Sequence, residues 1–152
     1  MAPAVVSAWE DQFVRPSRDD LLEGLNKQDR ALVDRCLSRL ESIPRCRMGI
    51  AWHGIPWRWT LRFTTDNKTP VAFIIPEPRR PQLAIPLSAD DMDRLDFRKL
   101  SRAIREGISL ASAINGIVWS EWVLSSKTQT DELLKLLDAR LIGVGLVESP
   151  ES

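Results

Sequence analysis

Two stretches of the chain carry apolar residues at every third or fourth position, which is the spacing of one face of an α-helix. The first stretch begins after Asn26 and ends before Pro44, and the second follows Thr128. The apolar positions are Leu32, Val33, Cys36, Leu37 and Leu40 in the first, and Leu133, Leu134, Leu136, Leu137 and Leu141 in the second. Proline lacks the N–H group that a helix interior needs, so Pro44 closes the first helix. We therefore predict two amphipathic helices, the second capped by residues 128–131.

Three further helix starts are indicated by capping residues. Ser17 and Ser88 are each followed three residues later by an aspartate, which is a variant of the capping box. Asp96 precedes a stripe of apolar residues at helical spacing and is a third expected cap. The stripe consists of Phe97, Leu100, Ala103 and Ile104.

Elsewhere apolar and polar residues alternate, which is the period of a β-strand. In the clearest run, Trp57, Trp59, Leu61 and Phe63 alternate with Arg58, Thr60, Arg62 and Thr64. Shorter runs occupy residues 48–52, 71–75, 83–87 and 117–125, the last after an Asn115-Gly116 turn. Because short turns join consecutive strands, the strands are expected to be mostly antiparallel.

Strands that are grouped along the chain indicate an α+β fold. We predict a single antiparallel β-sheet of about four or five strands with helices packed on one face. Residues 13–147 are expected to form one domain. Residues 1–12 and 148–152 lack periodicity and are expected to be flexible tails.

The charge of the chain is balanced, with 21 basic and 21 acidic residues among 152. A neutral chain lacks the broad positive field that attracts nucleic acids and anionic membranes, so we expect neither as a partner. No apolar run reaches the length of a membrane span, and no basic segment precedes the few apolar residues of the N-terminus. We therefore expect a cytoplasmic protein with reduced cysteines and no cofactor, whose oligomeric state the sequence leaves open.

The most concentrated chemistry lies in residues 52–63, which contain three of the six tryptophans, the only histidine and two arginines. The candidate ligand-binding residues are Trp52, His53, Trp57, Arg58, Trp59 and Arg62. Strand alternation places the tryptophans that follow Pro56 opposite the two arginines, so one face is apolar and the other cationic. The arginine face suits a small anionic molecule or a protein partner. The alternative is a buried tryptophan core with arginines that contact only solvent.

The residues also allow two other functions. His53 is the only side chain with an ordinary pKa near neutrality, but no nucleophile-elbow or metalloprotease motif accompanies it. A small hydrolase-like enzyme is therefore less favoured than non-catalytic binding. Asp90, Asp91 and Asp93 lie in the densest run of carboxylates, and such oxygen ligands suit hard cations. Helix capping is the alternative explanation of these aspartates.

Several short motifs also follow one another along the chain. It combines a Trp52-x-Gly54 strand end, a Trp57-x-Trp59-x-Leu61-Arg62 strand, a later proline-containing turn and a terminal strand and helix. This arrangement resembles an uncharacterised bacterial domain-of-unknown-function family that is distantly similar to the YdhG-like proteins. The resemblance covers residues 13–141. Some YdhG-like proteins look like frataxin-type iron chaperones, so the resemblance implies intracellular handling of iron or another metal, with the three aspartates as ligands.

Overall fold

The computed structural model describes residues 7–148, which contain five α-helices, one 3₁₀ turn and six β-strands. The helices are α1 (Arg18–Glu23), α2 (Lys27–Glu41), α3 (Ala89–Asp93), α4 (Arg102–Ser109) and α5 (Lys127–Gly143), and the 3₁₀ turn is Phe97–Lys99. The strands are β1 (Arg47–Trp52), β2 (Trp59–Thr64), β3 (Pro70–Ile75), β4 (Gln82–Ser88), β5 (Ser112–Ile114) and β6 (Ile117–Val123). Within this part of the chain, no helix has the length and apolar character needed to cross a membrane.

All six strands form one antiparallel sheet in the order β1-β2-β3-β4-β6-β5. The predicted α+β fold is confirmed, with six strands instead of four or five. The additional strand, β5, forms a hairpin with β6 through Asn115 and Gly116, whose φ angles of 52° and 79° are those that an Asn-Gly hairpin turn requires. A strand of three residues is too short to show alternation, so only the turn was visible in the sequence.

Helix capping explains where most helices begin. Ser17 and Ser88 form the expected capping boxes at the starts of α1 and α3. The cap of α5 is Ser126 instead of Thr128, because the Ser126 hydroxyl accepts a hydrogen bond from the backbone N–H of Gln129.

The prediction of one helix from Asp96 through Ile104 was wrong. Asp96 caps only the 3₁₀ turn, and extended backbone at Leu100, with φ −79° and ψ 141°, interrupts the helical repeat before α4. Phe97 therefore stays 38% exposed, whereas Ile104 and Ile108 supply the buried side of α4.

The register of the strands divides the sheet into two faces. One row across the sheet is buried and consists of Leu61, Ile74, Leu83 and Trp122. Helix α5 packs on β3 and β4, and we call this side the helix face. A neighbouring row points the other way, onto what we call the open face, and consists of Gly49, Arg62, Phe73, Ala84 and Glu121.

A buried ion pair ties α3 to α5. The side chain of Asp91 has no exposed surface, and its Oδ2 accepts a hydrogen bond from Arg140 Nη1 at 2.9 Å. Arg140 also donates to the carbonyl oxygen of Pro70 at the start of β3. A Cβ atom on Gly143 would lie 1.7 Å from Asp91 Oδ1, so α5 can approach this carboxylate only with a glycine here.

The N-terminal segment differs from the predicted tail. Trp9 is only 6% exposed, and its indole Nε1 donates a hydrogen bond to the carbonyl oxygen of Trp57. The indole of Trp59 donates in turn to the carbonyl oxygen of Asp11. Residues 7–12 are therefore part of the packed structure, because their own polar and aromatic groups bind the loop before β2. Residues 1–6 and 149–152 of the predicted tails lie outside the described part of the chain.

Candidate functional site

The six candidate ligand-binding residues do not form one site. Trp52 pairs with Trp59 in the ladder between β1 and β2, so residues 53–58 form the connection between these strands. Trp57 and Arg58 lie in this connection and not in β2. The prediction that Trp57 and Trp59 share a strand face was therefore wrong: Arg58 has a positive φ of 57°, which breaks the extended backbone on which alternation depends.

Trp52 and Trp59 belong to the helix face. Their rings contact edge to face with centroids 5.6 Å apart, and Trp59 is only 7% exposed. The next residue of the strand, Thr60, points to the other face of the sheet and is fully buried. Trp59 therefore has a packing role, and the half-buried Trp52 packs against its ring.

Arg58 is held by the N-terminal segment. Its Nη1 lies 3.5 Å from Glu10 Oε2, and its guanidinium carbon lies 5.0 Å from the centre of the Trp9 ring. The positive charge of Arg58 is thus already stabilised by an aromatic ring and by a carboxylate, which takes the place of a bound anion. Arg58 is consequently a poor candidate for ligand binding.

The open face carries an aromatic cluster around Phe73. The Phe73 ring lies 5.6 Å from His53, 5.3 Å from Trp57 and 6.0 Å from Trp119, measured between centroids. Trp57 is oriented by a hydrogen bond from its Nε1 to Glu121 Oε2 at 2.9 Å. The cluster covers the middle of the open face and leaves Phe73 only 4% exposed.

Beside this cluster, a groove of about 440 Å³ crosses β1, β2 and β3 on the open face. We call it the cationic groove, and its charged and aromatic lining residues are Arg47, His53, Arg62, Asp66, Lys68 and Phe73. Gly49 lies directly opposite Arg62 in the ladder, and a Cβ atom there would meet nothing within 4 Å. Because β1 has no side chain at this position, the Arg62 guanidinium is open to a ligand on that side.

The cations of the groove are only partly neutralised. Arg47 Nε lies 2.9 Å from Asp66 Oδ1, so these two charges compensate each other. Among residues 7–148, Arg62 and Lys68 form no ion pair and no side-chain hydrogen bond. Two uncompensated positive charges therefore face a concave surface, although the chain as a whole is neutral.

His53 lies at the edge of the groove, with its ring against Trp57 and Phe73. Burial against these rings lowers the pKa of His53, and the positive charge of Arg62 lowers it further. The folded-state pKa thus lies below the unfolded-state pKa. The contribution of His53 to the free energy of unfolding is therefore complete above the unfolded-state pKa. It decreases as the pH falls through the window between the unfolded-state and folded-state pKa values.

Replacing Arg62 with glutamine is expected to raise the pKa of His53 while leaving it below its ordinary value, since burial is the larger cause. The measurement is an NMR titration of the imidazole resonances, which are unambiguous because the chain has one histidine. Arg105→Gln, an exposed position on α4, is the matched control and leaves the titration unchanged. An identical His53 titration in the Arg62 variant and the wild type would contradict the placement of Arg62 beside the ring.

The three candidate metal ligands are separated by their environments. Asp91 is buried and engaged by Ser88 and Arg140, whereas Asp90 and Asp93 are exposed on α3. Within the described residues, no three His, Cys, Asp or Glu side chains are grouped so that they could hold a metal ion. Helix capping accounts for Asp91 directly, because it is the acidic member of the capping box of α3.

A larger cavity of about 600 Å³ lies between the β2–β3 turn and the end of α5. Its two arginines are both engaged: Arg140 binds Asp91, and Arg45 donates to the carbonyl oxygen of Gly145. The smaller cationic groove is therefore the better site for a charged ligand.

Fold and site together define an α+β protein whose open sheet face carries an aromatic cluster and a cationic groove. No protein-family model matches the chain, and no curated protein matches it either. The similarity to YdhG-like proteins stays a prediction from the sequence.

Sequence reasoning found His53 and Arg62 but missed Arg47, Gly49, Lys68 and Phe73 as their neighbours. The alternation along residues 47–53 contained a signal, since it places the first and third residues of β1 on the same face as His53. The pairing register was needed to bring that face beside Arg62.

Proposed function

We propose that this protein is a non-catalytic binding protein that holds carboxylate or phosphate groups in the cationic groove. The observation that carries the proposal is the Arg62 guanidinium, which lies in a groove of about 440 Å³ without a compensating carboxylate among the described residues. Arginine offers two parallel N–H donors to a carboxylate or phosphate, and Lys68 adds a second charge nearby. The groove is thus suited to the negative charge and to the paired acceptor oxygens that carboxylate and phosphate groups share.

The surroundings of His53 favour binding over catalysis. Its contacts are the rings of Trp57 and Phe73 and the charge of Arg62. Among residues 7–148, its side chain makes no hydrogen bond to a carboxylate, hydroxyl or thiol. General base catalysis requires such a partner or a substrate proton within reach. Beside a bound anion, His53 serves more simply as an additional hydrogen-bond donor.

Isothermal titration calorimetry with inorganic phosphate, succinate and citrate tests the proposal. Wild-type protein is expected to bind at least one of these anions saturably, and Arg62→Gln is expected to weaken that binding by about tenfold or more, since hydrogen bonds to charged groups contribute about 1.5–3 kcal/mol. Arg105→Gln serves as the charge-matched control and retains wild-type affinity. Equal affinities of the wild type, Arg62→Gln and Arg105→Gln would contradict the proposal. The absence of saturable binding in the wild type would contradict it as well.

We also propose that the protein works in the cytoplasm. Cys36 and Cys46 are both free thiols, which suits a reducing compartment. Burial raises the pKa of Cys36 to about 12 and that of Cys46 to about 11. Both thiols therefore stay protonated at neutral pH, in keeping with packing roles.

A further inference from the structure

Strand β1 is a free edge of the sheet. It pairs with β2 alone, and beyond that ladder none of its residues exchanges a backbone hydrogen bond with another described segment. An edge strand presents a row of N–H and C=O groups to which another strand can bind. β1 is six residues long, whereas β5 at the opposite edge has three, so β1 offers the longer ladder.

β1 lacks the usual features that protect an edge from pairing. It contains no proline, its register with β2 has no bulge, and its single charged residue is Arg47 at the start of the strand. The side chains that it directs toward the helix face are apolar and incompletely covered. Met48 is 38% exposed, and Ile50 and Trp52 are half-buried. An incoming strand would therefore find both free backbone groups and apolar surface.

The other side of β1 borders the cationic groove. An added strand would direct alternate side chains onto the open face, next to Arg47 and Gly49. Its backbone would lie about 10 Å from β2, which is two strand spacings. A glutamate and Arg62 can span this distance together, because Gly49 places no side chain between them.

We propose that an extended acidic segment of a partner protein adds to the free edge of β1, with alternate carboxylates over the cationic groove and the intervening apolar side chains beside Met48, Ile50 and Trp52. This inference rests on the proposed function, since it identifies what presents the anionic groups. Strand addition of this kind takes affinity from main-chain hydrogen bonds and specificity from alternate side chains. The groove would then contact the side chain of every second residue of the partner.

Charge complementarity favours such a partner over a second copy of this chain. β1 has the sequence RMGIAW and contains no acidic residue. Pairing of β1 with β1 of a second copy would bring another Arg47 toward the groove and leave Arg62 and Lys68 without an anion. An acidic strand supplies the missing charge and the backbone partner together.

Fluorescence anisotropy with labelled octapeptides and the full-length chain tests this inference. One peptide alternates glutamate and valine, and the matched control has the same composition with its glutamates grouped at one end. The alternating peptide is expected to bind about tenfold or more tightly than the grouped peptide, and Arg62→Gln is expected to remove this difference. Equal binding of the two peptides to the wild type would overturn the inference.

Backbone methylation of the alternating peptide separates strand addition from simple charge attraction. Because successive N–H groups of a strand point to opposite sides, methylating one alternate set blocks the ladder with β1 and methylating the other set leaves it intact. We expect one methylated peptide to lose binding and the other to retain it. Equal affinities of the two methylated peptides would show that charge alone is responsible.

Succinate and phosphate titrations on the same samples distinguish this inference from the proposed function. If the small anions bind through Arg62 and no peptide shows the alternation effect, strand addition is wrong and anion binding stands. If neither anions nor peptides bind, both are wrong. Sedimentation that shows a dimer which the acidic peptide does not dissociate would assign the β1 edge to a second copy and overturn the inference.

Discussion

Replacing Asp91 with alanine is expected to lower the free energy of unfolding by about 3–5 kcal/mol, because it leaves the Arg140 guanidinium buried without a counter-ion. Both side chains of this pair are almost fully buried, at 0% and 6% exposure. The variant also loses the hydrogen bond that Asp91 Oδ2 accepts from the backbone N–H of Ser88 at the start of α3. Urea denaturation followed by tryptophan emission measures the effect.

Two further variants show whether the buried charge is the cause. Asp90→Ala removes an exposed carboxylate from the same helical turn, and we expect it to change stability by less than about 1 kcal/mol. Adding Arg140→Met to Asp91→Ala removes the unpaired cation and is expected to restore part of the lost stability. An Asp91 variant that is as stable as the Asp90 variant would contradict the role assigned to this ion pair.

Replacing Phe73 with alanine is expected to reduce the free energy of unfolding by about 3–5 kcal/mol, the range for removing a buried aromatic ring from a core. The Phe73 ring contacts the rings of His53, Trp57 and Trp119, so its loss leaves all three without their common partner. Denaturation midpoints give the stability. Stronger quenching of tryptophan emission by iodide reports the loosening of the open face.

Phe13→Ala is the matched control, since Phe13 is 93% exposed and is expected to contribute less than about 0.5 kcal/mol. If the two phenylalanine variants were equally stable, the aromatic cluster would not support the sheet. The Phe73 variant is also expected to weaken anion binding in the cationic groove, because Phe73 supports the ring of His53 at its edge.

Features that depend on neighbouring residues were predictable from the sequence. The buried face of α2 consists of Leu32, Val33, Cys36, Leu37 and Leu40, which are the positions that the periodicity selects. The capping boxes and the Asn-Gly hairpin are also where the pattern places them. In each case the determining interaction spans four residues or fewer, so the local order of residues is sufficient.

The boundary of β2 shows where local pattern fails. Trp57, Arg58 and Trp59 alternate in sequence as a strand would, yet only Trp59 belongs to the ladder with β1. Contacts with Trp9 and Glu10, almost 50 residues earlier in the chain, hold the loop in its non-extended conformation. Alternation alone cannot separate a strand from a loop that distant residues fold back.

The sequence by itself determined the α+β class, the principal helices and the concentration of aromatic and cationic residues before Phe63, because composition, period and capping are local properties. Only the tertiary structure decided which of those residues act together. Strand register set Arg62 beside Gly49 and Phe73, and the N-terminal segment occupied Arg58. Pairing between distant segments depends on the packing of the whole sheet, and that pairing moved the candidate site from the tryptophans to the cationic groove.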